Sequence, residues 1–288
     1  MIASIDSIGP GRAYAEVIGD PITHSKSPLI HNHWLRAAKQ AFDYRACHVA
    51  PDQLGDYIAL RAYDPDWRGC NVTIPHKLAI LDHVADPGDV RGSIGAANTV
   101  FRKADGTLVA TNTDAAGFFA PIADVPLEGR EAVVIGAGGA ARAVLFALSR
   151  ANVGPVTIIN RNVLKGSALL AQFGLTGRAV PLGSPLSAKV ALVVNASALG
   201  MTGHPALDID LSPLADHAII YDLVYAPLVT DLLAQADARG LTSIDGLDML
   251  VGQAALAFEL FFGFAPDRDG DDRLWQLLVG QSRTGGQS

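Results

Sequence analysis

The stretch AVVIGAGGAARAVLFAL, residues 132–148, decides the fold. Ala132–Ile135 reads as a buried strand. The glycine turn Gly136-Ala137-Gly138-Gly139-Ala140 follows at once and runs into a helix that stays apolar as far as Leu148. Strand, glycine turn and helix in that order are what a dinucleotide-binding unit requires. Residues without β-carbons let the backbone approach a pyrophosphate, and the helix N-terminus offers N–H donors and a partial positive charge. The pattern is G-x-G-G-x-x, with Ala141 as the small residue at the third position. The same residues have an ordinary alternative, a tight strand–helix turn with no ligand.

Outward from this turn, the next strand, Val156–Ile159, ends in Asn160-Arg161-Asn162, with Lys165 one turn later. A carboxylate there would grip the ribose diol of NAD. Two cations stand in its place, which suits the 2′-phosphate of NADP; a solvated surface arginine is the ordinary alternative. Strands at Ala191–Val194 and Ala218–Asp222 and a helix at Leu228–Arg239, capped by Gly240, continue the pattern. On the other side lie strands Ala15–Gly19, Tyr44–Val49 and Cys70–Ile74, and helices from about Pro28 to Gln40 and over Pro51–Tyr63. Val100–Ala110 is broken by Lys103-Ala104-Asp105-Gly106, a hairpin signal. This alternation predicts an α/β protein with parallel sheets. Two domains are expected: a Rossmann-type NADP-binding domain over residues 118–246, and a discontinuous α/β substrate-binding domain from residues 1–117 plus 247–288. The tail from Asp267, charged and then Gly/Ser-rich, is expected to fray.

Composition excludes several classes. Of 288 residues, 49% are hydrophobic and 18% charged, enough to build a core and too apolar for wholesale disorder. The net charge of −7 argues against a nucleic-acid partner. Cys47 and Cys70 form no C-x-x-C and read as reduced thiols of a cytoplasmic protein. The first 20 residues carry no signal-peptide pattern, and Met249–Ala265 contains Gln253 and Glu259, so it reads as a buried helix and not a membrane span. No histidine spacing suggests a metal site, and His24, His31 and His33 read as capping or packing residues. A second copy of the chain, forming a homodimer, is the protein partner considered.

Polar residues gather where the strands of the first half end. His24-Ser25-Lys26-Ser27-Pro28 follows the first strand, Asn71-Val72-Thr73-Ile74-Pro75-His76-Lys77 ends the third, Gly95-Ala96-Ala97-Asn98-Thr99 precedes the hairpin, and Thr111-Asn112-Thr113-Asp114 follows it. Strand carboxyl ends line the ligand crevice of open α/β sheets. Taken singly, Ser25 and Ser27 also read as helix caps, Asn98 as a turn residue, Lys77 as a surface lysine and Asp114 as a cap.

Together these stretches resemble the shikimate dehydrogenase family. VIGDPITHSKSPLIHN, NVTIPHK, GAANT, TNTD, VVIGAGGAARA, INRN, NASALGM, YDLVYAPLVTDLL and DGLDMLVGQAA occur in family order over roughly residues 15 to 263. The resemblance implies an NADP-dependent oxidoreductase that reduces 3-dehydroshikimate to shikimate in chorismate and aromatic amino-acid biosynthesis. It implies substrate binding by Ser25, Ser27, Thr73, Lys77, Asn98, Asp114, Tyr225 and Gln253, with Lys77 the acid/base and Asp114 its catalytic companion. It implies cofactor contacts from Gly136, Ala137, Gly138, Gly139, Ala140, Asn160, Arg161, Lys165, Leu223 and Gly246. Asp89 falls where some members carry an acidic residue near the cofactor. The chain departs from the family pattern at Ala115 (usually Gly), at Ala198 (one hydroxyl lost) and at Asn162 (usually Thr).

The implied chemistry is reduction of a ring ketone, in which the nicotinamide supplies hydride and a lysine ammonium the proton. Alcohol oxidation is then expected to gain more from alkaline pH than ketone reduction, because only oxidation needs a neutral lysine. Substrate on one domain and NADP on the other would also imply a cleft that closes. A quinate/shikimate dehydrogenase, an aminoshikimate dehydrogenase and a non-catalytic NADP-binding regulatory module are the competing readings.

Overall fold

The computed structural model describes residues 12–284. Its contacts divide the chain into two units, one comprising Met1–Thr113 with Gln253–Gly280 and the other chiefly Asp114–Gly252.

The first unit holds β1 (Tyr14–Gly19), α1 (Ser27–Ala37), β2 (Asp43–His48), α2 (Leu54–Ala62), β3 (Trp67–Val72), α3 (Val90–Ser93), β4 (Thr99–Arg102) and β5 (Leu108–Thr111). Its sheet order is β2-β1-β3-β4-β5, with the first three strands parallel and the β4–β5 hairpin antiparallel. The chain leaves β1 to one side and returns on the other, so the carboxyl end of β1 is a topological switch point. The hairpin forms where the Asp-Gly signal stands, with Gly106 at φ +86°.

The second unit holds α4 (Asp114–Phe119), β6 (Glu131–Ile135), α5 (Gly139–Arg150), β7 (Val156–Ile159), α6 (Val163–Gln172), β8 (Gly177–Val180), β9 (Val190–Asn195), β10 (Ile219–Asp222), α7 (Asp231–Ala238) and β11 (Thr242–Ile244). All its strand pairs are parallel, in the order β11-β10-β9-β6-β7-β8, which is the doubly wound arrangement that turns back at β6. Two helices complete the chain: α8 (Gly246–Phe262), which begins in this unit and ends in the first, and α9 (Asp271–Thr284).

Helix α9 corrects the expectation of fraying for the charged part of the tail; its Gly/Ser-rich end, residues 285–288, lies outside the described residues. Leu274 and Leu278 are fully buried, Lys26 Nζ donates to the Leu278 carbonyl at 2.7 Å, and Trp34 Nε1 donates to Asp271 at 2.9 Å. The charged face is the solvent face of an amphipathic helix, and its apolar stripe has a partner. The strands β8 and β11 went unpredicted because they are short and mostly exposed edges.

Inside the first unit, Glu16 lies in the middle of an apolar strand and is fully buried. Arg61 meets it through Nε at 2.8 Å and Nη2 at 3.0 Å, Arg45 through Nε at 2.8 Å, and the Tyr57 hydroxyl donates at 2.7 Å. A buried carboxylate persists only when its lone pairs are filled in this way.

His31, expected to cap or pack, packs. Its ring stacks on Tyr44 at 3.9 Å and meets Trp34, Phe258 and Phe261 within about 6 Å, with neither nitrogen hydrogen-bonded. Burial drives its pKa from 6.5 to about 3, against a smaller opposing effect of Asn71. Between those values the unfolded chain binds a proton that the folded chain refuses, so stability falls as pH drops below 6.5. Urea titrations should show His31 contributing a loss of about 2 kcal/mol between pH 7 and pH 5. His31→Phe should remove that increment, and an unchanged pH slope in the variant would refute the assignment.

Candidate active site

The candidate substrate residues of the first unit stand where its strands end. Thr73 follows β3, with its N–H on the Ile18 carbonyl at 3.0 Å. This close approach needs Gly19, where a β-carbon would lie 2.6 Å from Thr73 Cγ2. Lys77 follows one turn on. Its carbonyl accepts from Ala97 N–H at 2.7 Å, and the neighbouring buried His76 ring bonds the Val49 carbonyl at 2.7 Å. The root of the lysine is thus tied to the turn that carries Asn98. Antiparallel pairing brings the start of β4 beside the end of β3 (Asn71 opposite Thr99) and the end of β5 beside the start of β4 (Thr111 opposite Thr99).

Asn98 and Gln253 are buried and meet, Asn98 Nδ2 to Gln253 Oε1 at 3.3 Å. Ser25 sits on the turn after β1, and Ser27 is the first residue of α1. Lys26, not a serine, holds the N-cap position of α1 and makes no side-chain cap bond, while the Ser25 hydroxyl accepts from the N–H of Ser27 at 3.3 Å. Asp114 and Tyr225 belong to the second unit: Asp114 is buried as the first residue of α4, and Tyr225 is half-buried after β10, its phenol pushed up by burial. Asp89 takes a structural role as the N-cap of α3, accepting from Gly92 N–H at 3.2 Å.

Three residues of the quoted motifs to which the sequence attached no role, Asn71, Thr99 and Thr113, are buried and hydrogen-bonded to Asn98, as is Asn71 to Tyr44. Their signal was a polar side chain in a strand end that should be apolar; Tyr44 offered none.

The candidate cofactor residues follow the carboxyl ends of β6, β7, β10 and β11 in the second unit. Gly136 is buried at φ +106°, and a β-carbon there would meet the Ala196 carbonyl at 2.9 Å. At Gly138, by contrast, an added β-carbon meets nothing within 4 Å, so the space in front of the turn is open where a pyrophosphate would come. Gly246 packs on the Leu223 carbonyl, which a β-carbon would approach to 2.5 Å. After β7, Asn162 caps α6 by accepting from Lys165 N–H at 3.0 Å, so the departure from threonine keeps the cap. Asn160 Nδ2 donates to the Asn162 carbonyl at 2.8 Å. Arg161 and Lys165 are exposed and in no ion pair among the described residues. An open glycine turn, a helix start and two uncommitted cations fit a phosphorylated dinucleotide.

The other departures are also local. In Asn195-Ala196-Ser197-Ala198, the Ser197 hydroxyl donates to Asn195 Oδ1 at 2.7 Å and accepts from Leu199 N–H at 3.1 Å. The Asn195 amide in turn donates to Asp222 at 2.9 Å, so the hydroxyl lost at Ala198 is not needed for this network. Burial raises the Asp222 pKa against hydrogen bonds from Thr230, Val224 and Asn195. Ala115 is buried within α4.

The chain matches three family descriptions: "Shikimate dehydrogenase substrate binding domain" over residues 17–100, "Shikimate / quinate 5-dehydrogenase" over residues 121–191, and "Shikimate 5'-dehydrogenase C-terminal domain" over residues 246–270. It is 63% identical over 266 residues to a shikimate dehydrogenase (NADP(+)) of Sphingopyxis alaskensis, covering 92% of this chain and 97% of that one. The chain belongs to the shikimate dehydrogenase family. Among solved members, the Thermus thermophilus shikimate 5-dehydrogenase in complex with NADP(H) and shikimate has a TM-score of 0.80 at 36% identity, covering 94% of this chain and 99% of that one. A 5-ketofructose reductase of Gluconobacter shares the shikimate dehydrogenase fold, with a TM-score of 0.82 at 28% identity, covering 96% and 99% of the two chains. The fold therefore serves more than one ketone, and the substrate must be argued from the side chains. Among the described residues no helix is long and apolar enough to cross a membrane, and no cluster of three metal-ligating side chains occurs.

Proposed function

We propose that the protein is an NADP-dependent shikimate dehydrogenase that interconverts 3-dehydroshikimate and shikimate. The observation that carries this reading is the gathering of Thr73, Lys77, Asn98 and Gln253 around the junction of β3 and β4, in a member of this family.

Gly136–Ala140, Asn160, Arg161, Lys165, Leu223 and Gly246 would hold NADP, whose nicotinamide supplies the hydride. Ser25 and Ser27 bind the substrate carboxylate through their hydroxyls, with Tyr225 and Gln253 sharing the task. Asn98 and Asp114 hold ring hydroxyls, and Thr73 orients the ring beside the lysine. In reduction Lys77 gives a proton to the carbonyl oxygen; in oxidation it takes one from the alcohol. The domain limits expected from the sequence, 1–117 plus 247–288 and 118–246, belong to this proposal, as do a cytoplasmic location and assembly, if any, as a homodimer.

The test is the absorbance of reduced nicotinamide with shikimate or quinate and NADP+ or NAD+. Shikimate with NADP+ should be the fastest pair. Faster turnover of quinate, or none of any pair, would replace this reading with a quinate enzyme or a non-catalytic module. Ser25→Ala and Ser27→Ala should raise the KM for shikimate and leave that for NADP+ unchanged, since each removes one donor to a remote carboxylate.

A further inference from the structure

Two backbone groups settle which way the buried amides of the first unit point. The Thr113 N–H, which can only donate, lies 2.7 Å from one end of the Asn98 side chain, so that end is Oδ1. The Asn98 carbonyl, which can only accept, lies 3.4 Å from one end of the Asn71 side chain, so that end is Nδ2. With both amides oriented, the contacts between them run in one sense. The Tyr44 hydroxyl donates to Asn71 Oδ1 at 2.6 Å, Asn71 Nδ2 to Thr99 Oγ1 at 3.2 Å, Thr99 Oγ1 to Asn98 Oδ1 at 3.1 Å, and Asn98 Nδ2 to Gln253 Oε1 at 3.3 Å.

We propose that Tyr44 is a positioning residue that reinforces, through the hydrogen-bond chain Tyr44–Asn71–Thr99–Asn98–Gln253, the amide orientation those two backbone groups set; with the Thr113 hydroxyl, which accepts from Asn98 Nδ2 at 2.9 Å and donates to Gln253 Oε1 at 3.5 Å, the chain keeps Gln253 Oε1 toward Asn98, so that the Nε2 end of the amide, and not its carbonyl oxygen, is the one turned to the substrate. The chain selects an oxygen acceptor at that point of the ligand, a carboxylate or hydroxyl oxygen. This rests on the reading of Gln253 and Asn98 as substrate residues.

Every member is buried, so an amide turned the wrong way has no water to repair it and loses its partners outright. Tyr44 suits the head of the chain. Its backbone is held on both sides by Asn32, which donates to its carbonyl at 2.6 Å and accepts from its N–H at 3.1 Å. Burial pushes the phenol well above its ordinary pKa, so it remains a donor at any pH the enzyme meets. The ring stacks on His31, a contact that phenylalanine would keep.

Shikimate affinity would be measured at equilibrium for wild type, Tyr44→Phe, Thr99→Val, Gln253→Ala and the double variant Tyr44→Phe/Gln253→Ala, with the KM for NADP+ alongside. Tyr44→Phe and Thr99→Val should each raise the Kd for shikimate about 10-fold, with the KM for NADP+ within about twofold of wild type. The double variant should bind no worse than Gln253→Ala alone, because cutting the head of a chain already missing its end changes nothing more. A wild-type Kd in both Tyr44→Phe and Thr99→Val overturns the proposal, as does strict additivity in the double variant. An unchanged Kd in Gln253→Ala instead removes Gln253 from the substrate site and overturns the reading beneath.

Discussion

Lys77→Ala should lower turnover of shikimate by a factor on the order of 10²–10⁴, the usual contribution of a positioned general acid or base. The Michaelis constant for shikimate should move far less, because the residues assigned to hold the ligand, Ser25, Ser27, Asn98 and Gln253, remain. The structure sharpens this expectation. The Lys77 carbonyl accepts from the Ala97 N–H, and the ring of the preceding His76 bonds the Val49 carbonyl. Lys77→Arg should recover little of the lost rate, because a guanidinium stays protonated at any working pH and cannot exchange the proton. The measurement is NADP+-linked oxidation of shikimate by wild type and variant at one pH, with equilibrium binding of shikimate as the control for folding. A variant that binds normally and turns over within tenfold of wild type would remove Lys77 from the chemistry.

Arg161→Asp should invert cofactor preference. Arg161 is exposed, has no carboxylate partner among the described residues, and follows β7 directly beside the glycine turn, since Ile159 pairs with Ile135. Replacing it would remove the charge-assisted contact proposed to the 2′-phosphate and put a repelling charge in its place. The same carboxylate can accept from the ribose diol of NAD. kcat/KM for NADP+ should fall on the order of 10²-fold while that for NAD+ holds or rises. The cap of α6 is Asn162, so the substitution leaves the helix start intact and thermal unfolding should barely change. An unaltered ratio of the two cofactors would mark Arg161 as a plain surface residue.

The nucleotide-binding half was legible because its signals are local. A strand, a glycine turn and a helix must follow one another within about 17 residues, and the positive φ at Gly136 is a demand that the residue itself advertises. Thr73, Lys77, Asn98 and Asp114 could be singled out as candidates for a related reason, because they follow strand ends, which can be read from where apolar runs stop; the role proposed for each comes from the resemblance alone. Helix α9 was misread because its stability is not local. Lys26 reaches Leu278 across 252 positions and Trp34 reaches Asp271 across 237, and composition carries no trace of either.

By itself, then, the amino-acid sequence determined the class of fold, the site of the dinucleotide turn and the residue types available for the chemistry, since each depends on neighbours in the chain. Only the tertiary structure decided that Glu16 is a satisfied buried charge, that α9 is docked, and which end of each buried amide faces its partner. Those outcomes depend on donors and acceptors contributed by distant segments, and a hydrogen bond has a direction only once both of its ends are in place.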